Sequence, residues 1–124
     1  MEARKAAFIV SPLFLAWHLA VVPALALSTL SVSDLLASPS TYNDSHVVVA
    51  GSVADVEAKT SHAGNDYETF DICDVNGGCL RVFTWGHPVI HEGGKITVRG
   101  TFETTKRVGK YTFHNEIEAD EGSL

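Results

Sequence analysis

The residues best suited to chemistry or recognition gather between Tyr67 and Trp85, in the stretch YETFDICDVNGGCLRVFTW. Asn76-Gly77-Gly78 separates two runs of alternating apolar residues, the strongest short-range signal for a β-hairpin. Folding about Asn76 sets Cys73 opposite Cys79, Asp71 opposite Arg81, Thr69 opposite Phe83 and Tyr67 opposite Trp85. The other face pairs Ile72 with Leu80, Phe70 with Val82 and Glu68 with Thr84. A slip of one residue would exchange the faces, so the pattern argues for this register. The apolar face is expected in a core. The mixed face, with its thiol pair, charge pair and aromatic pair, is expected to be the working surface, with the Trp85 ring outside the core.

Cys73 and Cys79 are the only cysteines. Directly opposed strand residues lie close enough for a disulfide, which is expected here, with two free thiols as the alternative. The loop closed is short, so the bond would pin the turn more than it would stabilise the domain. The C-x5-C spacing is not a zinc pattern. His87 and His91 have the spacing that puts two ligands on one helix face, but their Gly-bounded loop gives little helix, so solvated side chains and no metal site are expected. Ser, His and Asp occur without a nucleophile elbow or another local signature. Glu116 and Glu118 share one strand face, as carboxylates placed for solubility do. Neither a catalytic set nor a cofactor is expected.

The elements that must position this hairpin lie within 124 residues, enough for one domain. Arg4 and Lys5 open the chain, an apolar run follows over 6–22, and Pro23-Ala24-Leu25-Ala26 supplies small residues. This is the three-part pattern of a secretory signal peptide over residues 1–26, with cleavage expected after Ala26. An uncleaved membrane anchor is the alternative, weakened by Pro12 and His18 inside the run. Both place the domain outside the cytoplasm, periplasmic or secreted. Of nine basic and fifteen acidic residues, Arg4, Lys5 and Glu2 belong to the leader, so residues 27–124 keep seven and fourteen. An acidic domain is poorly suited to general nucleic-acid binding, whose affinity comes from phosphate neutralisation. A local basic patch matters more than the sum.

In the lead-in over 27–46, Ser33 is expected to cap a short helix that Pro39 ends, with Leu35 and Leu36 as its apolar contact. So short a helix must dock on something, and a plug over an open barrel end is the natural use. Val47, Val49, Gly51 and Val53 then alternate and Val56 breaks the phase. A bulge or kink, placed at Gly51, is expected to bend one long strand across two sheets. After the hairpin, Ile96, Val98 and Gly100 mark a fourth strand. Glu103 to Lys110 reads as a polar connection holding three of the seven cations, and alternation from Tyr111 to Ala119 gives a fifth strand. The tail over 120–124 is expected to be loose. Five strands without a long amphipathic helix indicate an all-β domain that closes to hide its edges.

These strands resemble the OB-fold, and within it the tRNA anticodon-binding type of nucleic-acid-binding domain, in a small exported form. The resemblance rests on V-x-V-A-G-S-V at Val47–Val53, E-T-F-D-I-C-D at Glu68–Asp74, G-x-L-R-V-F at Gly78–Phe83, E-G-G-K-I-T-V-R-G-T-F at Glu92–Phe102 and G-K-Y-T-F-H-N-E-I at Gly109–Ile117. It covers most of residues 47–119 and implies a five-stranded Greek-key barrel. OB-folds bind oligonucleotides or oligosaccharides on the strand 2–3 face and with the loops joining strands 1–2 and 4–5. The resemblance thereby selects Tyr67, Thr69, Arg81, Phe83 and Trp85 on the face, Lys59 and His62 near the first loop, and Lys106, Arg107 and Lys110 near the second. It implies base stacking on the rings, with cations holding the backbone. Asp71 is expected to neutralise Arg81. Exported haem chaperones are also OB domains, but His114 is followed by Asn115-Glu116-Ile117-Glu118 without a tyrosine, so covalent haem is not expected.

The sequence thus indicates a non-enzymatic exported binding module for an oligonucleotide or another oligomeric ligand. The alternatives are a protein-interaction module of the envelope and a stress-tolerance OB protein for a small or cationic ligand. Membrane contact is expected only if the N-terminal segment stays uncleaved.

Overall fold

The computed structural model describes residues 28–124. The leader expected over 1–26 lies outside the described residues, and among those described no helix is long and apolar enough to cross a membrane. The order is β1 (Thr29–Ser31), α1 (Val32–Ala37), α2 (Pro39–Tyr42), β2 (Ser45–Thr60), β3 (Asp66–Cys73), β4 (Cys79–Trp85), β5 (Lys95–Val108) and β6 (Tyr111–Ala119).

Within the barrel, strand β2 serves two partners. Ser45 to Ser52 pairs antiparallel with β5, and Ser52 to Thr60 pairs antiparallel with β3. The single bend expected in this strand is made at two places. Gly51 sits beside the change of partner, where a Cβ would stand 2.9 Å from the Cys73 carbonyl oxygen. Only a residue without a side chain admits that approach. The phase break at Val56 is a separate bulge: the β2–β3 register shifts between Ala54 and Glu57, with Asp55 at φ 53°.

The sheet continues from β3 to β4, from β4 to β6 in parallel, and from β6 to β5, which returns to β2. Strands β2 to β6 therefore close into the five-stranded Greek-key barrel of the OB-fold. Strand β1, which alternation does not reveal because it is so short, adds in parallel beside Val48–Ala50. Phe70, Ile72, Leu80, Val82, Val98, Phe102 and Ile117 fill the interior, each at most 1% exposed.

The short helix does plug the barrel, through the fully buried Val32 and Leu35. Its cap is Ser31 rather than Ser33: the Ser31 hydroxyl accepts from Asp34 N at 3.0 Å, completing a capping box. Ser33 is two residues further on and bonds elsewhere. The helix ends at Ala37, before Pro39 as expected, and Pro39 then opens a second short helix, α2, at N1, where its missing N–H costs nothing. The tail makes contacts at both of its ends. Asp120 N donates to Arg99 O at 2.8 Å, the Asp120 carboxylate meets His46 Nε2, and Leu124 packs against the core cluster.

The polar connection expected over Glu103 to Lys110 is also strand. Strand β5 runs to Val108, and the turn is Gly109-Lys110 alone, with Gly109 at φ 60°. Pairing from Thr105–His114 to Val108–Tyr111 makes a two-stranded arm that extends past the β4–β6 pairing.

Candidate ligand-binding face

The seven cross-strand pairs expected for the hairpin are all present, from Tyr67–Trp85 to Cys73–Cys79. The two cysteines are bonded, with their Cα atoms 4.1 Å apart. Between them, Asp74 Oδ1 accepts from Asn76 N at 3.0 Å and Asp74 N donates to Gly78 O at 2.9 Å, while Gly77 takes φ 88°. That is an Asx-type turn, which suits the Asp and Gly at these positions. The other Asp74 oxygen accepts from the Ser33 hydroxyl and from Ser33 N at 2.9 Å, which fastens α1 to the hairpin tip. The Ser33 hydroxyl, more than the backbone donors, holds the Asp74 carboxyl below its usual range.

On the outer face the Tyr67 ring stacks on Phe83 at 5.0 Å and meets Trp85 edge-on at 5.9 Å, and Phe83 meets Trp85 at 4.9 Å. Trp85 is 42% exposed and stands outside the core. Beside these rings lies a charge network. Lys106 Nζ sits over the Phe83 ring at 4.4 Å, and Arg81 lies over the Phe113 ring at 5.1 Å. Between the two cations is Glu116, 3% exposed, accepting from Arg81 Nε at 2.9 Å and from Lys106 Nζ at 3.0 Å. Glu118 adds a further contact to Lys106 at 3.4 Å. Burial alone would pull the Lys106 amine down, but the two glutamates outweigh it and hold the amine above its ordinary value. Asp71 is not the ion partner of Arg81. Burial, and then the nearby Asp55 carboxylate, push the Asp71 carboxyl up despite the Arg81 charge.

The remaining predicted residues separate. Lys59 lies across from Tyr67 and reaches Glu57 at 3.5 Å. Thr69 is on the correct face but only 2% exposed. His62 is exposed in the β2–β3 loop, outside the sheet. Arg107 and Lys110 are exposed on the β5–β6 arm, with Lys110 Nζ 5.5 Å from the Tyr111 ring. The face thus brings together Tyr67, Arg81, Phe83, Trp85, Lys59 and Lys106, and the arm carries two more cations away from it.

Phe113 and Glu116 are the members that alternation misses. A strict period of two puts Phe113 on the side of Ile117, yet it lies against Arg81 on the side of Glu116. Asn115 sits between them at φ 53°, and opposite it Thr104 N donates to Asn43 Oδ1 at 2.8 Å instead of to β6. This local break changes the phase of the strand. The available signal is Asn itself, one of the few non-glycine residues that adopt this conformation readily.

His87 and His91 do not act together. His87 Nε2 contacts Asp66 Oδ2 at 2.9 Å and its Nδ1 contacts Glu68 Oε2 at 3.5 Å, while the backbone of His91 belongs to the turn before β5. The hydrogen bond to Asp66, followed by that to Glu68, raises the His87 pKa. Among the described residues no group of three or more His, Cys, Asp or Glu side chains is arranged to hold a metal ion.

No protein-family profile and no curated protein matches the chain. Solved structures do. One is the crystal structure of a "putative nucleic acid-binding lipoprotein" from Klebsiella pneumoniae, with a TM-score of 0.55 over 74% of this chain and 87% of that one, at 18% identity. The likeness is one of fold.

Proposed function

We propose that this chain is an exported, non-catalytic OB module that binds single-stranded nucleic acid across Tyr67, Phe83 and Trp85, with the strand running along the β5–β6 arm. The observation that carries the reading is the cluster of three mutually contacting rings on the open side of the β3–β4 hairpin. Exposed rings on this surface of an OB barrel stack bases with little regard to sequence. The similar Klebsiella fold, described as a "putative nucleic acid-binding lipoprotein", supports both the ligand class and export. The likeness of the five strand motifs to the anticodon-binding type favours a single strand over a duplex.

Arg81 and Lys106 are already paired with Glu116, with Lys106 seated against the Phe83 ring and Arg81 against Phe113. Phosphate contacts then fall to Arg107 and Lys110 on the arm and to Lys59, whose pair with Glu57 is open to solvent. Three such contacts on a single strand give a log K against log salt slope of about −2, shallow for a nucleic-acid binder. Fluorescence anisotropy of a labelled oligothymidylate, titrated with the full chain at low salt, tests the reading. Saturable binding with this slope is expected, with Trp85→Ala and Tyr67→Ala each losing about tenfold or more. Absence of binding at low salt, or binding indifferent to both substitutions, would sink it. A concentration-dependent dimer in that same sample would hand the face to a protein partner.

A further inference from the structure

Beside the aromatic strip, the β2 bulge and strands β3 and β4 border an open cleft of about 320 Å³. Asp55, Glu57, Asp71 and Glu92 place four carboxylates around it. Glu92 is fixed in place by Val56 N, which donates to its Oε1 at 3.0 Å. Arg81 reaches the rim, but its guanidinium is engaged by Glu116 and Phe113. The second observation is Thr69. It lines the cleft, is only 2% exposed, and its hydroxyl makes no hydrogen bond among the described residues. Buried hydroxyls are rarely left without a partner, so this one points to something that enters the cleft.

A bare metal ion does not fit, because the carboxylates ring an open space and no three of them form an ion-holding group among the described residues. The occupant must bring positive charge, bulk of its own and an N–H for the Thr69 oxygen. We propose that this cleft binds a primary ammonium group on an aliphatic chain. Acceptors that converge from several directions suit the three rotatable donors of an ammonium better than the flat fork of a guanidinium. The site is separate from the rings and stands or falls independently of oligonucleotide binding.

Spermidine and an oligolysine peptide serve as probes for the two sources of this group, a free polyamine and a lysine of a partner protein. Titration of the full chain, followed by amide chemical shifts and calorimetry at low ionic strength, is expected to move the amides of Asp55, Glu57, Thr69 and Asp71. Asp71→Asn should weaken binding about fivefold or more. Thr69→Val should weaken it with an unchanged thermal melt, and Trp85→Ala should leave it as it is. Tighter binding of the peptide identifies a protein partner and tighter binding of spermidine a small molecule; either result supports the site. No saturable shift with either probe would overturn it. So would the same shifts from magnesium at equal concentration, or equal affinities for wild type, Asp71→Asn and Thr69→Val.

Discussion

The two faces of the β3–β4 hairpin are built from the same fifteen-odd residues and use burial in opposite ways. On the inner face Phe70, Ile72, Leu80 and Val82 are at most 1% exposed and hold the barrel together. On the outer face the rings of Tyr67, Phe83 and Trp85 touch one another but leave Trp85 42% exposed. Apolar area on the inside has been removed from water; apolar area outside remains available for a ligand. The difference teaches that hydrophobicity alone does not distinguish core from site on this hairpin. Register does, because adjacent residues point to opposite sides.

Substitutions that separate folding from binding sharpen this contrast. The largest effect is expected from Phe70→Ala, which should cost about 3–5 kcal/mol of stability through lost burial and an unfilled cavity. Denaturant unfolding measures it, and a loss no greater than that of Trp85→Ala would break the comparison. Glu116→Ala comes next. It is the one outer-face position where a stability loss is expected, roughly 2 kcal/mol, because two cations lose a buried partner. Its thermal melt should fall well below that of Glu118→Ala, whose side chain is far more exposed.

Titration adds two smaller effects. The raised Asp71 carboxyl destabilises the fold where it is ionised, so Asp71→Asn should stabilise the protein at neutral pH. That gain should fade as pH falls through the raised folded value and be gone below the ordinary carboxylate value of 3.8, where Asp71 is protonated in both states. His87 behaves in the opposite sense. Its raised pKa means that its contribution is fully present below 6.5 and is lost as pH climbs through the raised folded value. The lowered Asp66 carboxyl sets the other edge, since its share disappears as pH falls below 3.8. Melts of wild type and His87→Gln should therefore differ most between those limits and converge at alkaline pH. The smallest change in stability, within about 0.5 kcal/mol, is expected for Trp85→Ala, even as oligonucleotide affinity falls.

Much of the hairpin was legible because one local signal, Asn-Gly between alternating runs, fixes seven pairs at once. The closed barrel was legible from the count of strands and the bend in β2. What escaped depends on contacts between distant parts of the chain. Ser31 takes the cap because Ser33 is drawn to Asp74, 41 residues away. Glu116 reads as a surface carboxylate until β6 lies in parallel against β4 and brings Arg81 beside it. Phe113 changes sides through a backbone conformation at Asn115 that leaves no mark on the hydrophobic pattern. Thr69 follows the correct alternation and is still only 2% exposed, at the edge of the cleft beside the β2 bulge.

The parallel β4–β6 pairing also has a kinetic meaning. The hairpin joins residues close in sequence, and such units form in about 1–10 μs. Closing the barrel joins Ser45 to Phe102 and Arg81 to Glu116, and domains dominated by such non-local pairs fold in roughly milliseconds to seconds. In an oxidising compartment the Cys73–Cys79 bond is therefore open to formation on a chain whose barrel is still unclosed. The rings assemble with the early hairpin, but the glutamate that braces Arg81 and Lys106 beside them arrives only when β6 is seated.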